Sequence, residues 1–326
     1  MTARTAPPGA GVRPKAAGSG DSRIPLIMRQ GTTIPWLYLG PAVIVMLIFI
    51  IYPTINTLFL SFRNATGTDW ATQSCVGGQP CWGLFENYRY SLTSEIMITS
   101  FLNNLKWIAI MVPGTVMGGL LIATLANQVR YEALAKSIIF LPMAISFVGA
   151  GVIWKFVYDY GTGNRQIGLL NAIVTSLGGQ PVGWLTEPAV NNVALILVGI
   201  WMSTGFCMTI LSAAIKNVPS DLIEAASVDG ANAWITFWRI TVPVILPTLT
   251  VVSTTMVINV LKIFDIVYIM TGGNYGTEVI ANRMYQEQYS AGNSGRAAAI
   301  AVVLIVIILP AMYFNIRRFQ AEESMR

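Results

Sequence analysis

Long apolar runs separated by polar, turn-rich segments set the pattern of this chain. The runs cover about Trp36–Leu60, Phe101–Asn127, Ile138–Tyr158, Val193–Ile215, Ile245–Met270 and Ala297–Asn315. Each is long enough to cross roughly 30 Å of hydrocarbon as an α-helix. Apolar stretches of this length and continuity predict helices, which satisfy their own backbone groups in lipid. The pattern therefore predicts an all-α membrane protein with six transmembrane helices. Proline falls within several runs, at Pro41, Pro53, Pro113, Pro142, Pro247 and Pro310. Membrane bundles accommodate such kinks when neighbours re-satisfy the freed carbonyls. Small residues at Gly114, Gly118 and Gly119, and at Gly149, Ala150 and Gly151, predict close helix–helix approach.

Composition narrows the class. The chain is 54% hydrophobic and 11% charged, where a soluble domain carries roughly a quarter charged residues. It contains no histidine, which excludes His-based triads, haem ligation and the common zinc sites. Residues 1–32 are rich in Ala, Gly, Pro and Arg and predict a disordered basic tail; residues 33–326 form the transmembrane domain. Basic residues crowd one set of flanks (Arg4, Arg13, Lys15, Arg23, Arg29, Arg130, Lys136, Lys216, Arg239, Arg317, Arg318, Arg326) and thin out on the other (Arg63, Arg89, Arg165, Arg283, Arg296). This bias predicts cytoplasmic N- and C-termini, with outside loops at about 61–100, 159–192 and 271–296. Cys75 and Cys81 flank a Gly-Gly-Gln-Pro turn in the first outside loop. They are candidates for a disulfide, with two free thiols as the alternative. Cys207 lies in an apolar run and reads as a small core residue.

The segment Lys216–Pro247 is different in kind, because it places acids and small residues between two spans on the cytoplasmic side. Asp221 is placed to cap a helix, with Glu224 three residues on to complete the cap. That helix should end at Gly230, and a second helical stretch, Ala231 to Arg239, should follow before Pro243 opens the next span. Ala225, Ala226, Gly230 and Ala231 leave a face of little bulk, edged by Glu224 and Asp229. Such a face suits a cleft on another protein whose rim carries Arg or Lys. A lipid-surface helix is the alternative, but those are usually Lys/Arg-rich on the polar face. The chain has no G-x-x-x-x-G-K-[ST] segment, so it does not cradle nucleotide phosphates by a P-loop.

The pattern Glu224-Ala-Ala-x-x-Asp229-Gly230-Ala231, followed by Phe237, Ile240, Pro243 and Pro247, resembles the loop of ABC importer permeases. Phe85-Glu-Asn-Tyr88, Asn103-Asn-Leu-Lys-Trp107, Phe140-Leu-Pro-Met-Ala-Ile-Ser-Phe147, Leu261-Lys-Ile-Phe-Asp-Ile-Val-Tyr268 and Thr271-Gly-Gly273 resemble the carbohydrate (maltose-type) branch. Glu132-Ala-Leu-Ala-Lys-Ser, Lys155-Phe-Val-Tyr-Asp-Tyr160 and Gln166-Ile-Gly-Leu-Leu-Asn-Ala172 resemble the first permease subunit of alpha-glucoside and trehalose-type importers. The resemblance covers about residues 35–320. It implies the type I importer permease fold, with a cytoplasmic coupling helix between helices 4 and 5. Implied partners are a second homologous permease, a dimer of cytoplasmic ATPase subunits and an extracytoplasmic sugar-binding protein, in a bacterial cytoplasmic membrane. It implies no cofactor in this chain; ATP and Mg belong to the ATPase. The permease would catalyse no bond chemistry.

Polar groups at membrane depth are the candidate substrate path. The fifth span holds Thr254, Thr255, Asn259, Lys262 and Asp265, with Thr255, Asn259 and Lys262 on one helical face. Hydroxyl, amide and ammonium groups suit sugar hydroxyls, and Trp201 and Phe264 offer aromatic faces. By likeness to maltose-type permeases, Met143, Trp201, Ser203, Thr255, Asn259 and Lys262 line the path, with Lys262 standing where those permeases have an amide. The structural alternatives are an intrahelical Lys262–Asp265 ion pair and threonines bonded back to carbonyls. The spans contain no arginine, which favours a neutral sugar over a glycerol phosphate. An ion-coupled carrier using Asp265 is the rival from another class.

Overall fold

The computed structural model describes residues 33–68, 83–161 and 168–323. The predicted tail and the Cys75/Cys81 pair lie outside the described residues. Within them every regular element is helical. Contacts divide the chain into two compact units, Met1–Thr54 and Ile55–Arg326. The first unit contributes Thr33–Met46 (α1), a π-helical turn at Leu47–Ile51, and the start of Tyr52–Ser61 (α2). Apolar side chains such as Tyr38, Phe49 and Ile50 are exposed all round it, as suits a helix in lipid.

The second unit continues with Gly83–Thr93 (α3), Glu95–Ala126 (α4), Glu132–Phe140 (α5), Phe147–Val157 (α6), Leu169–Ser176 (α7) and Asn191–Lys216 (α8). Ser220–Val228 (α9), Ala233–Thr236 (α10), Val242–Val244 (α11), Leu246–Leu261 (α12), Asp265–Met270 (α13), Ile280–Tyr285 (α14) and Ser294–Glu323 (α15) complete it.

Among the described residues four helices are long and apolar enough to cross a membrane: Leu37–Ser61, Glu95–Ala126, Asn191–Lys216 and Ser294–Arg317. Two bent pairs, each counted as one broken span, bring the number to as many as six, in the six regions the apolar pattern marks. Three spans differ from expectation. The second span begins at Glu95 rather than Phe101; at 32 residues it is about 48 Å long and outruns the hydrocarbon.

The third span is no single rod. Glu132–Ala144 and Phe147–Val157 meet at 97°. Pro142 sits in a tight turn, and the Ser146 hydroxyl accepts the Gly149 N–H at 3.0 Å, starting a fresh helix.

The fifth span is interrupted twice. It bends by 69° between Ala233–Val244 and Leu246–Leu261, where Pro243 and Pro247 flank Ile245. It stops again at Lys262 and restarts at Asp265.

The core forms where α4 meets α8. Trp107, Met111 and Leu120 pack with Leu195, Val198, Met208 and Leu211. Cys207 is buried there, as its apolar setting predicts. The close approach needs glycine: a methyl group on Gly119 would lie 2.7 Å from Cys207 Cβ and 2.8 Å from the Met208 nitrogen. Gly205 plays the same part against α5, where an added Cβ would meet the Ile139 carbonyl at 2.8 Å. A second cluster, with Met97, Leu261, Ile280, Ile300 and Leu304, joins α4, α12, α14 and α15.

Candidate functional site

The segment between α8 and α12 folds as two short helices. Val228 ends α9, and Gly230 takes a left-handed φ of +79°, which glycine adopts without Cβ strain. The Ala231 N–H then reaches back to the Ala226 carbonyl at 2.9 Å, closing the helix end. The side chain of Asn232 caps α10 by accepting the Ile235 N–H at 2.9 Å.

The start of α9 differs from the predicted cap. Pro219 occupies the cap position and, among the described residues, no side chain caps the helix. Pro219 turns the chain into the helix by itself, so Asp221 falls inside the first turn. There its charge still favours the helix N-terminus. Glu224, Ala225, Asp229 and Gly230 are exposed, Ala231 is half-buried and Ala226 is buried. Leu222, Ile223 and Val228 are exposed beside them, an apolar patch that suits a protein partner better than water.

The bend of the third span meets α8 and α12 around a cleft of about 280 Å³. Met143, Ser146 and Phe147 line it from the bend, Ser203 and Phe206 from α8, and Met256 and Asn259 from α12. The structure thus brings Met143, Ser203 and Asn259 together. Trp201 is placed elsewhere. Its ring meets Trp154 edge-on at 5.5 Å, in a column that continues through Tyr158 to Trp184. The Thr255 hydroxyl donates to the Val251 carbonyl at 2.9 Å and lies 3.3 Å from Asn315 Nδ2 of α15. Thr254 bonds back to Thr250 at 2.7 Å. Lys262 is exposed where α12 ends and Asp265 is half-buried where α13 begins. Among the described residues no ion pair joins them, because the break removes the helical spacing that would have done so. Phe264 stacks on Tyr268 at 5.0 Å and touches Tyr285 at 5.1 Å.

Two features lie beyond what the sequence reading picked out as functional. The first is the Asn103–Asn104 pair of α4, both nearly fully buried. Asn103 Nδ2 donates to the carbonyls of Gly276 (2.7 Å) and Glu278 (2.8 Å). Asn104 accepts the Ile280 N–H and donates, at 3.4 Å, to the carbonyls of Val260 and Leu261, where α12 ends.

The second is a set of buried acids in the predicted outside loop, where the sequence had singled out only Asp265 as an acid at depth. Glu287 is fully buried and bonds Tyr90 Oη at 2.6 Å, Asn293 Nδ2 at 2.7 Å and Arg283. Burial pushes its carboxyl up, but those donors outweigh it and hold the group below the usual range. Glu278 meets Asn282 Nδ2 at 2.5 Å and the Val279 N–H at 3.2 Å. Here burial prevails and the carboxyl is pushed up. Most of their partners are near in sequence, but Tyr90 reaches Glu287 from α3, and the packing that buries both acids is not visible in the local pattern. Among the described residues, no cluster of Cys, Asp and Glu is placed to hold a metal ion.

A helical membrane body with broken spans around a largely apolar cleft that carries Ser146, Ser203 and Asn259, together with an exposed helix pair, has the architecture of an ABC importer permease. Residues 114–319 match the family of binding-protein-dependent transport system inner membrane components, and the chain belongs to that family. It is 56% identical over 291 residues to the osmoprotective compounds uptake permease of Synechocystis sp., covering 89% of this chain and all of that protein. It is 44% identical over 292 residues to the alpha-glucoside transport system permease of Rhizobium meliloti, covering 89% and 83%. Among solved structures, a bacterial ABC transporter involved in import of the acidic polysaccharide alginate superposes with a TM-score of 0.72 at 26% identity. That match covers 87% of this chain and 96% of the other. The chain is accordingly a transport component, one of the inner-membrane parts of a binding-protein-dependent system.

Proposed function

We propose that this chain forms half of the translocation path for a neutral sugar, such as an alpha-glucoside, a maltose-like sugar or trehalose. The observation that carries the reading is the cleft that gathers Met143, Ser203 and Asn259 from three different spans. Its walls combine hydroxyl and amide groups with apolar surface, the mixture a sugar's two kinds of surface require. Among the described residues no arginine or lysine lines it, which favours a neutral substrate over a glycerol phosphate. The name of the alpha-glucoside permease of Rhizobium meliloti, to which this chain is 44% identical, supports the same class. An ion-coupled carrier built on Asp265 has no support in a binding-protein-dependent family.

In this reading Glu224, Ala225, Ala226, Asp229, Gly230 and Ala231 form the docking piece for a cytoplasmic ATPase dimer, which supplies ATP and Mg. A second homologous permease completes the path, and an outside binding protein delivers the sugar. Both termini are cytoplasmic. Trp201, Thr255, Lys262 and Asp265 are retained as path residues for the assembled pair, outside the cleft that this chain forms alone. Reconstitution tests the whole reading. The complex purified through this chain should bring down an ATPase and import labelled maltose or trehalose in proteoliposomes only with ATP and binding protein. Uptake without ATP, or uptake of glycerol phosphate alone, would overturn it.

A further inference from the structure

Lys216 ends α8 at the root of the loop that carries α9. Its ammonium lies 2.5 Å from Glu132 Oε1, at the start of α5. Glu132 also pairs with Lys136, one turn further along α5. Lys136 donates in turn to Ser212 of α8 and, at 2.7 Å, to Asn127 Oδ1 just past the end of α4. Ser212 donates to that same oxygen at 2.8 Å. These side chains tie the cytoplasmic ends of α4, α5 and α8 into one polar knot.

What makes the knot informative is where α5 leads. From Glu132 the helix runs to Phe140, and the tight turn after it carries Met143 into the cleft beside Ser203 and Asn259. Along the way the Ile139 and Phe140 backbone presses on Gly205 of α8. The chain's own path from the loop to the cleft is less direct. It passes a π-helical turn at Phe237–Thr241 and the 69° bend before α12, so α12 is not a straight rod from the loop.

We propose that Glu132 is a positioning residue for transport. Through its pair with Lys216 it passes displacement of the α8–α9 junction to α5, and α5 passes it to Met143 in the cleft. The proposal rests on the docking of α9 onto an ATPase set out above. The Glu132 and Lys216 side chains are 29% and 52% exposed. A pair of that exposure adds little to stability, so its removal leaves the fold intact and its effect on coupling can be measured by itself.

The test uses the complete transporter in proteoliposomes with its ATPase subunits and sugar-loaded binding protein. The quantity read is sugar imported per ATP hydrolysed, which a purely structural role would not move. Glu132→Gln and Lys216→Gln should each lower that ratio by about fivefold or more, the lower end of typical coupling between sites, with the ATPase still co-purifying. Lys216→Arg, which keeps the charge pair with Glu132, should hold most of the wild-type ratio. An unchanged ratio in either single variant, or a loss in Lys216→Arg as large as that in Lys216→Gln, overturns the proposal. Failure of the wild-type chain to bring down an ATPase would instead overturn the docking reading.

Discussion

The side-chain oxygen of Asn104 accepts the backbone N–H of Ile280 at 3.0 Å, while its nitrogen faces the carbonyls of Val260 and Leu261. One buried carboxamide thus serves the end of α12 and the start of α14 together. Where a helix stops inside a membrane protein, its last carbonyls need donors. Asn104 supplies one, and so helps hold the break that precedes Asp265. Replacing it with leucine keeps the branched outline of the side chain and removes both functions. Asn104→Leu should destabilise the protein by about 1–3 kcal/mol, the usual cost of orphaning buried backbone groups, read as a lower melting temperature of the purified complex. An unchanged melting temperature would show that the break is held by other contacts.

Gly230 gives a sharper local test. Its φ of +79° is left-handed, and among the described residues nothing lies within 4 Å of where a Cβ would sit. Any loss in Gly230→Ala is therefore backbone strain alone, about 1–2 kcal/mol. The strain falls on the turn between α9 and α10, so it should loosen the docking piece and leave the α4–α8 core alone. Hydrogen exchange should rise at Ala231, whose N–H closes the α9 end, with exchange in α4 and α8 unchanged.

The two buried acids should act in opposite directions on pH. Glu287 has a folded pKa below its ordinary value, chiefly because donors from Tyr90, Asn293 and Arg283 outweigh the cost of burial. Its stabilisation is complete above the ordinary carboxylate range and is lost as pH falls through the depressed folded value. Glu278 has a raised folded pKa because burial dominates. Its folded form binds the extra proton, so stability is lost as pH rises from the ordinary value through the raised one. Glu287→Gln should flatten the acid side of a melting-temperature profile. Glu278→Gln should flatten the side just above the ordinary carboxylate range. Parallel profiles for wild type and Glu278→Gln across that window would contradict the shift.

The apolar runs made the helical membrane class and all six regions legible, because length and continuity of apolar residues are local properties. The glycine end of α9 was legible for the same reason. The breaks were harder. Pro142 and Pro247 flagged kinks, but only the fold shows that Ser146 restarts a helix after the first of them. The stop at Lys262 has no proline at all; there the side chain of Asn104 meets the helix end from another span. The Glu287 cluster needed contacts from α3, and Trp201 and Thr255 find neighbours in other helices. Where a side chain's surroundings come from distant segments, periodicity cannot say which way it faces.

The docking piece and the cleft should fail separately. Glu224 is exposed on α9, and reversing its charge should disturb a partner without touching the core. Asn259 lines the cleft, away from the α9 surface, and its truncation should leave assembly intact. Glu224→Lys should therefore release the ATPase or lower sugar import per ATP by about fivefold or more. Asn259→Ala should keep the ATPase bound and reduce sugar transport by roughly tenfold, the worth of one hydrogen bond to a buried polar partner. Co-purification and uptake measured on the same preparations decide both. Wild-type assembly and uptake in Glu224→Lys would remove the docking role from α9. Unchanged sugar-stimulated ATP hydrolysis and uptake in Asn259→Ala would remove the cleft from the path.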